Sequence, residues 1–238
     1  MDPLAKKRTW VNPYNFVQNN PLIRIDPYGL TDYTLNRKSG EVAQVGEAND
    51  EPDRILKTNR RGEVKYKNNG EAKVAIDNIE QGILSDGINL KDDNQLIEVG
   101  GEDQASIEGV ERFALQLSDY VGREIGGTYF SLDQAEGTTH IGIGGYELNT
   151  ETNTRNFGNN LNGVIDNLRD IQRYEFRGFF HTHPELSRGH DERFIPSPAD
   201  IRLRNAGLLN NPNLRYFILT HPARFGDDFP TIIEYTND

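Results

Sequence analysis

The sequence predicts a mixed α/β (α+β) fold, and three observations support this prediction. From Ser106 onward, apolar residues recur at helical spacing behind a serine suited to be an N-cap. Strand-like and helical segments then alternate as far as residue 235, as expected of strands packed against helices. Upstream, residues 32–100 carry charged turn sequences between short β-prone runs, which indicates β-hairpins. The chain has 238 residues, enough for one domain of ordinary size and a smaller module.

A short internal repeat lies in the region of residues 31–100. Asn-Arg-Lys-Ser-Gly-Glu-Val at residues 36–42 recurs as Asn-Arg-Arg-Gly-Glu-Val at residues 59–64. Each copy places a charged tip with glycine before a valine that resumes a strand, so each predicts a hairpin. No spacing typical of a catalytic or metal site occurs in this region, and its function stays open.

The elements after residue 100 are predicted from periodicity. The first is an amphipathic helix whose apolar face carries Ile107, Val110, Phe113, Ala114, Leu117 and Val121. The predicted strands that follow are residues 124–132, 140–148, 176–180, 216–220 and 231–235. Two further helices are predicted at residues 161–173 and 198–209.

Composition excludes several classes of function. The formal net charge is -11, which disfavours a nucleic-acid partner because such binding depends on Lys and Arg at the phosphates. No apolar stretch approaches the ~20 residues of a membrane span. The chain has no cysteine, so any metal ion must be bound by His and carboxylate side chains.

Two histidines stand at the end of a β-prone run, in Phe179-Phe180-His181-Thr182-His183-Pro184. Side chains at alternate strand positions point the same way, so His181 and His183 can reach one ion. A catalytic zinc then needs one more protein ligand, and Asp200 is the candidate. The sequence Ser197-Pro198-Ala199-Asp200 also reads as a helix N-terminus with a capping serine, and a His-x-His pair alone is often merely packed.

The first 30 residues are rich in proline, asparagine and aromatic residues. Asn-Pro-Tyr-Asn-Phe-Val-Gln-Asn-Asn-Pro at residues 12–21 leads to Asp-Pro-Tyr-Gly-Leu at residues 26–30. These runs resemble the end of the core of RHS/YD-repeat proteins. The resemblance implies that residues 1–30 are the tail of an RHS core shell and border a variable C-terminal toxin. In some members of that family the shell cuts the chain at this motif.

The set His-x-His-Pro followed by Ser-x-x-Asp resembles the motif of JAMM/MPN (JAB-like) metallopeptidases. The resemblance implies that residues 101–238 form a JAMM/MPN-like domain, a mixed sheet flanked by helices, with Zn2+ held by His181, His183 and Asp200. Ser197 would then donate a hydrogen bond to the oxyanion of the reaction intermediate.

That family also has an upstream acidic residue, often with glycine three positions later. Glu124-Ile125-Gly126-Gly127 matches this pattern, so the resemblance makes Glu124 the general base and then acid. Glu147 and Glu136 are weaker rivals. Twelve residues, 185–196, separate Pro184 from Ser197, about twice the interval of the family. They include His190, Asp191 and Glu192, each a further possible metal ligand or substrate contact, but a longer surface loop is the favoured interpretation. His140 and His221 are expected to be structural.

The resulting prediction is a zinc-dependent peptidase or isopeptidase that acts as the C-terminal toxin of an RHS-type protein. A protein or peptide is the expected substrate, and a cognate immunity protein and the parent RHS shell are the expected partners, with no nucleic acid and no membrane span. The toxin would be secreted or delivered into the cytoplasm of a target cell. The alternatives are a non-catalytic MPN-like binding or scaffold module, and a β-rich adhesion or delivery fragment in which the hydrolase-like half only folds.

Overall fold

The structure is a computed structural model that describes residues 31–47, 49, 51–91, 93–146, 164–165, 168–184, 194–221 and 230–235. The predicted RHS-core tail, residues 1–30, lies outside this part of the chain. The described residues form two mixed β-sheets and three helices, which confirms the mixed α/β class. Among them, no helix is both long and apolar enough to cross a membrane.

The smaller sheet has four strands in the order β2-β1-β3-β4. They are β1 (Asp32–Leu35), β2 (Val42–Gln44), β3 (Asp53–Leu56) and β4 (Val74–Ile79). Strands β1 and β2 are antiparallel neighbours, which confirms the first predicted hairpin, whereas β1 and β3 are parallel.

The second predicted hairpin is present, and a third follows it directly. Antiparallel bridges join Thr58 to Val64 and, in the next turn, Tyr66 to Ala72. Three backbone hydrogen bonds then close a ring, because Lys65 donates to Lys57 (2.8 Å), Lys73 donates to Lys65 (2.8 Å), and Lys57 donates to Lys73 (2.7 Å). The turns therefore meet at a three-way junction of short ladders beyond β3 and β4.

The larger sheet has six strands in the order β10-β9-β8-β6-β7-β5. In chain order the remaining elements are β5 (Gln95–Glu98), α1 (Ile107–Val121), β6 (Gly126–Leu132), β7 (His140–Ile143), α2 (Leu168–Ile171), β8 (Tyr174–His183), α3 (Pro198–Asn210), β9 (Arg215–Thr220) and β10 (Thr231–Glu234). Strands β8 and β9 are parallel and are connected through α3, while the other neighbours in this sheet are antiparallel. Helix α3 therefore begins after the C-terminal end of β8.

Helix α1 begins where the sequence predicts. Ser106 is its N-cap, and the Ser106 hydroxyl oxygen accepts the N–H of Gly109 at 2.9 Å. The helix ends at Gly122, whose φ of 69° is the left-handed conformation that glycine adopts without strain.

Strand β8 is longer than predicted. The periodicity ends it at residue 180, but the pairing continues to His181 with β6 on one side and to His183 with β9 on the other. The two histidines are therefore strand residues with fixed directions. The helix predicted over residues 161–173 is described only as the four-residue α2, and part of its range lies outside the described residues.

One buried apolar cluster joins the two sheets. It contains Leu35 and Ile55 of the small sheet together with Phe113 of α1 and Phe180 of β8. A polar contact supports the same junction, because the carboxylate of Glu80, directly after β4, accepts hydrogen bonds from the backbone N–H (2.6 Å) and the hydroxyl (2.9 Å) of Ser106. Strand β5 also belongs to the larger sheet although it precedes residue 101. Residues 31–100 and the region after residue 100 thus share a core.

The larger sheet is covered on both faces. Helix α1 contributes to the main cluster on one face, where Thr182 meets Ser118. On the other face, Leu208 of α3 packs with Tyr216 and Ile218. The face under α3 is the one that carries the two histidines.

Candidate metal centre

Strand alternation directs His181 and His183 to one face and Thr182 to the opposite one. The Thr182 hydroxyl donates to Ser118 Oγ of α1 at 2.7 Å, and its oxygen accepts the N–H of Ile125 at 2.8 Å. All three side chains of this strand end are buried. Because Thr182 is anchored on the α1 side, the two imidazoles are held on the α3 side.

The neighbouring strands give the two histidines different flanks. Opposite His181 are Gly126 of β6 and Ile218 of β9. Beside His183, β9 contributes Thr220. Gly126 has no side chain, so no β6 side chain stands directly beside the His181 imidazole.

Asp200 reaches the histidines from the first turn of α3. Ser197 is the N-cap of this helix, its hydroxyl oxygen accepts the N–H of Asp200 at 3.3 Å, and Asp200 Oδ2 accepts the N–H of Ser197 at 2.6 Å. The predicted capping arrangement is therefore confirmed. The same Oδ2 atom lies 3.5 Å from His181 Nε2, so the cap residue is also a neighbour of the histidine pair.

The three side chains form a compact group of possible ligand atoms. The Nε2 atoms of His181 and His183 are 3.0 Å apart, and the group including Asp200 lies within 4.8 Å. In a tetrahedral zinc site with bonds of about 2.0–2.1 Å, ligand atoms are about 3.3 Å from one another. The 3.0 Å and 3.5 Å separations are close to this value. Among the described residues, this is the group of His and carboxylate side chains that could hold a metal ion.

Electrostatics keeps the Asp200 carboxyl ionised. Burial alone would raise its pKa, but the hydrogen bond and charge of His181 and the hydrogen bonds of Ser197 hold that pKa below its usual value. An aspartate binds a metal ion in its ionised form, so this environment suits Asp200 to the role of a ligand. The same distances also fit a metal-free chain in which one imidazole donates to the other.

Glu124 lies at the edge of this group. It is 5% exposed and precedes Ile125, whose carbonyl and N–H are both hydrogen-bonded to Thr182 at the end of β8. Alternation along the chain places Glu124 on the side of Gly126, which is the face of the histidines. The predicted general base is therefore a buried carboxyl group on the sheet face that carries the candidate ligands.

Two residues of the site carry no signal that the sequence reasoning used. The ring of Tyr235, after β10, meets His181 edge to face with ring centroids 6.2 Å apart. The buried Arg204 of α3 donates to the Tyr235 carbonyl at 3.2 Å, which anchors the chain there. Burial, together with the charge of Asp200, raises the pKa of Tyr235. The sequence marks Tyr235 only as the end of a predicted strand, because the fold alone brings it to His181.

The remaining candidates lie elsewhere. Glu136 is exposed in the turn after β6, at the end of that strand opposite to Gly126, and so far from the histidines. Glu147, His190 and Asp191 lie outside the described residues. His140 is buried at the same far end, where its Nδ1 is 2.9 Å from Thr139 Oγ1 and its ring packs edge-on against Tyr174. His221 Nε2 lies 2.7 Å from Asp119 Oδ2 of α1.

The geometry and chemistry of His181, His183 and Asp200 are the basis for a functional proposal. Comparison of the chain with protein-family models, with curated proteins and with solved structures gives no match.

Proposed function

We propose that the protein is a zinc-dependent peptidase or isopeptidase of JAMM/MPN type that acts as the C-terminal toxin of an RHS-type protein. The convergence of His181, His183 and Asp200 from two separate elements is the observation that supports this proposal most. Three such ligands on a buried strand end and a helix start are the donor set of a catalytic zinc with one position left for solvent.

Zinc in such a site lowers the pKa of a bound water molecule toward neutrality and so makes a nucleophile available near pH 7. His181 and His183 would hold the ion with their imidazoles, and Asp200 would supply a carboxylate oxygen. The capping box orients that carboxylate, because the Ser197 N–H already fixes Oδ2. The protein thus provides a ligand set whose members are held by strand pairing and by a helix N-terminus.

Glu124 and Ser197 supply the proton transfer and hydrogen bonding that amide hydrolysis requires. Glu124 accepts a proton from the attacking water and returns it to the leaving amine, so that the products are a carboxylic acid and an amine. The Ser197 oxygen accepts from the Asp200 N–H, which leaves the hydroxyl proton to be donated. Its location at the start of α3 suits a donor to the oxyanion.

The toxin assignment rests on the resemblance of residues 12–21 and 26–30 to the end of an RHS core. It implies a protein or peptide substrate inside a target cell, a parent RHS shell, and a cognate immunity protein in the producing cell. A scaffold module would need no ionisable residue beside the histidines, so the buried Glu124 favours the enzyme.

Zinc content tests the proposal directly. After metal-free purification and zinc repletion, elemental analysis should find about one zinc per chain. His181→Ala should lose it. His140→Ala is the matched control, because His140 is also a strand histidine with 7% exposure, the same as His181. Equal zinc retention in the two variants would contradict the proposed site.

A further inference from the structure

Thr220, the last residue of β9, lies next to the candidate metal centre. It is the Cα partner of His183 in the parallel pairing of β8 and β9, and both residues are 0% exposed. Facing residues of neighbouring strands share a face of the sheet, so the Thr220 side chain is on the side of the His183 imidazole. Strand β8 lies between β6 and β9. Glu124, two residues before β6, is on one side of the end of β8, and Thr220 of β9 is on the other.

The Thr220 hydroxyl is buried without a hydrogen-bond partner among the described residues. Such burial costs folding free energy, and valine has nearly the same shape without this cost. The described residues around Thr220 supply no interaction that compensates for this cost. The candidate metal centre lies on the same face beside His183, and an ion with its ordered solvent would bring new acceptors there.

We propose that Thr220 is a positioning residue of the metal centre, whose hydroxyl is hydrogen-bonded when the centre holds its metal ion, either to a ligand side chain or to solvent ordered there. This inference rests on the proposed function. Groups that hydrogen-bond to metal ligands hold them in the geometry that binds the ion, and their loss commonly lowers metal affinity about 10–100-fold.

Thr128 provides a matched control. It is a strand threonine that is also 0% exposed, and its Oγ1 also has no partner among the described residues. It lies on the same sheet face but faces Phe179, two residues before His181. Thr128→Val therefore removes the same kind of hydroxyl from the same sheet at a greater distance from the ligands.

The experiment measures zinc affinity by competition with a chelator, together with thermal unfolding of the metal-free proteins. Thr220→Val should lower zinc affinity about 10-fold or more, while its metal-free form melts at the same or a higher temperature because an unpaired hydroxyl is gone. Thr220→Ser keeps the hydroxyl and should stay within about threefold of wild type. Thr128→Val should leave the zinc affinity within about twofold.

Each outcome decides a separate question. If Thr220→Val binds zinc as wild type does, or if Thr220→Ser loses as much affinity as Thr220→Val, the positioning role is overturned while the zinc site stands. If Thr128→Val weakens zinc as much as Thr220→Val, the effect is a general one of the sheet and the inference also fails. If wild type binds no zinc, the proposed function itself fails. Should Thr220→Val not fold, Thr220→Ala against Thr220→Ser gives the same comparison.

Discussion

Gly127 and Phe180 face each other in the antiparallel pair of β6 and β8, and the ring of Phe180 occupies the place where a Cβ at residue 127 would be. Phe180 is buried and directly precedes His181. The resemblance to metallopeptidases places a glycine three residues after the acidic residue. In this chain, the Phe180 ring packs so closely against residue 127 that only a glycine fits there without a shift, and Phe180 directly precedes the candidate ligand His181.

Gly127→Ala should therefore destabilise the protein by about 1–3 kcal/mol, because an added methyl group must displace the Phe180 ring or the strands. Urea denaturation measures the change. Gly137→Ala is the control, since a Cβ there meets no atom within 4 Å. Similar stability losses in the two variants would show that the packing at Gly127 is not the cause.

Some elements were predictable because their signal is local. The 3.6-residue period and the Ser106 cap define α1, and the Ser197 to Asp200 pattern defines the start of α3. The His-x-His spacing indicates a shared direction once the segment is a strand. These features need only neighbouring residues to be recognised.

Other elements depend on partners that are distant in the chain. Strand β8 extends to His183 because it pairs with β6 as far as His181 and with β9 as far as His183, which no local pattern near residue 180 reveals. The contact of Tyr235 with His181 and the position of Thr220 beside His183 arise from the order of strands in the sheet. The sequence therefore indicates the candidate ligands but not the residues that flank them.

Glu111 should give the protein a stability that falls as the pH rises. This residue of α1 is 4% exposed, and it accepts a hydrogen bond from the Tyr129 hydroxyl at 2.6 Å. Burial raises the pKa of its carboxyl to about 7 from an ordinary 4.5, against the lowering effect of Tyr129. Between these values the unfolded chain has lost the proton while the folded protein keeps it, so the free energy of unfolding decreases with rising pH.

The expected loss is at most ~3.5 kcal/mol, from a pKa difference of about 2.5 at about 1.4 kcal/mol for each pKa unit. Urea denaturation at pH 5 and pH 8 measures it in wild type and in Glu111→Gln, which should show a smaller loss. Asp53, whose pKa burial raises to about 6, contributes with the same sign in both proteins. An unchanged pH dependence in Glu111→Gln would assign the effect to other groups.

Asp200 has two roles that substitutions can separate. Asp200→Asn keeps an oxygen that can accept the Ser197 N–H but loses the charge, so α3 should stay formed while zinc affinity falls strongly. Ser197→Ala removes the cap, at a cost of about 1 kcal/mol, but keeps the carboxylate, so zinc should still bind. Chelator competition and metal-free melting temperatures measure both effects. Wild-type zinc affinity in Asp200→Asn would mean that Asp200 is a helix cap only.

His190 and Asp191, in the segment between Pro184 and Ser197, are the alternatives to Asp200 as the third metal ligand. His190 and Asp191 lie outside the described residues. Replacing each of them with alanine should leave the zinc affinity nearly unchanged. Loss of zinc in His190→Ala together with retention in Asp200→Ala would transfer the third ligand to that segment.

The last prediction separates proton transfer from metal binding. Glu124→Gln keeps the size and hydrogen bonding of the side chain but removes the base, so it should stay folded and zinc-loaded while losing hydrolysis and any growth inhibition in a susceptible bacterium. His183→Ala should lose both zinc and toxicity, because Nε2 of this buried residue is a candidate ligand. Glu136→Gln is the control, since this exposed carboxylate is at the far end of β6.

Mass spectrometry of new peptide N-termini and released amines in cells expressing each variant would show whether amide bonds are cut, and it would reveal the substrate from the wild-type cells. A binding module would remain toxic in Glu124→Gln, because its surface is unchanged except at one buried group. An enzyme that uses this carboxylate would not, since removing a general base typically costs ~10²–10⁴-fold in rate. Persistent toxicity in a folded, zinc-loaded Glu124→Gln protein would therefore exclude catalysis through Glu124 and leave either another base, such as Glu147, or the scaffold alternative.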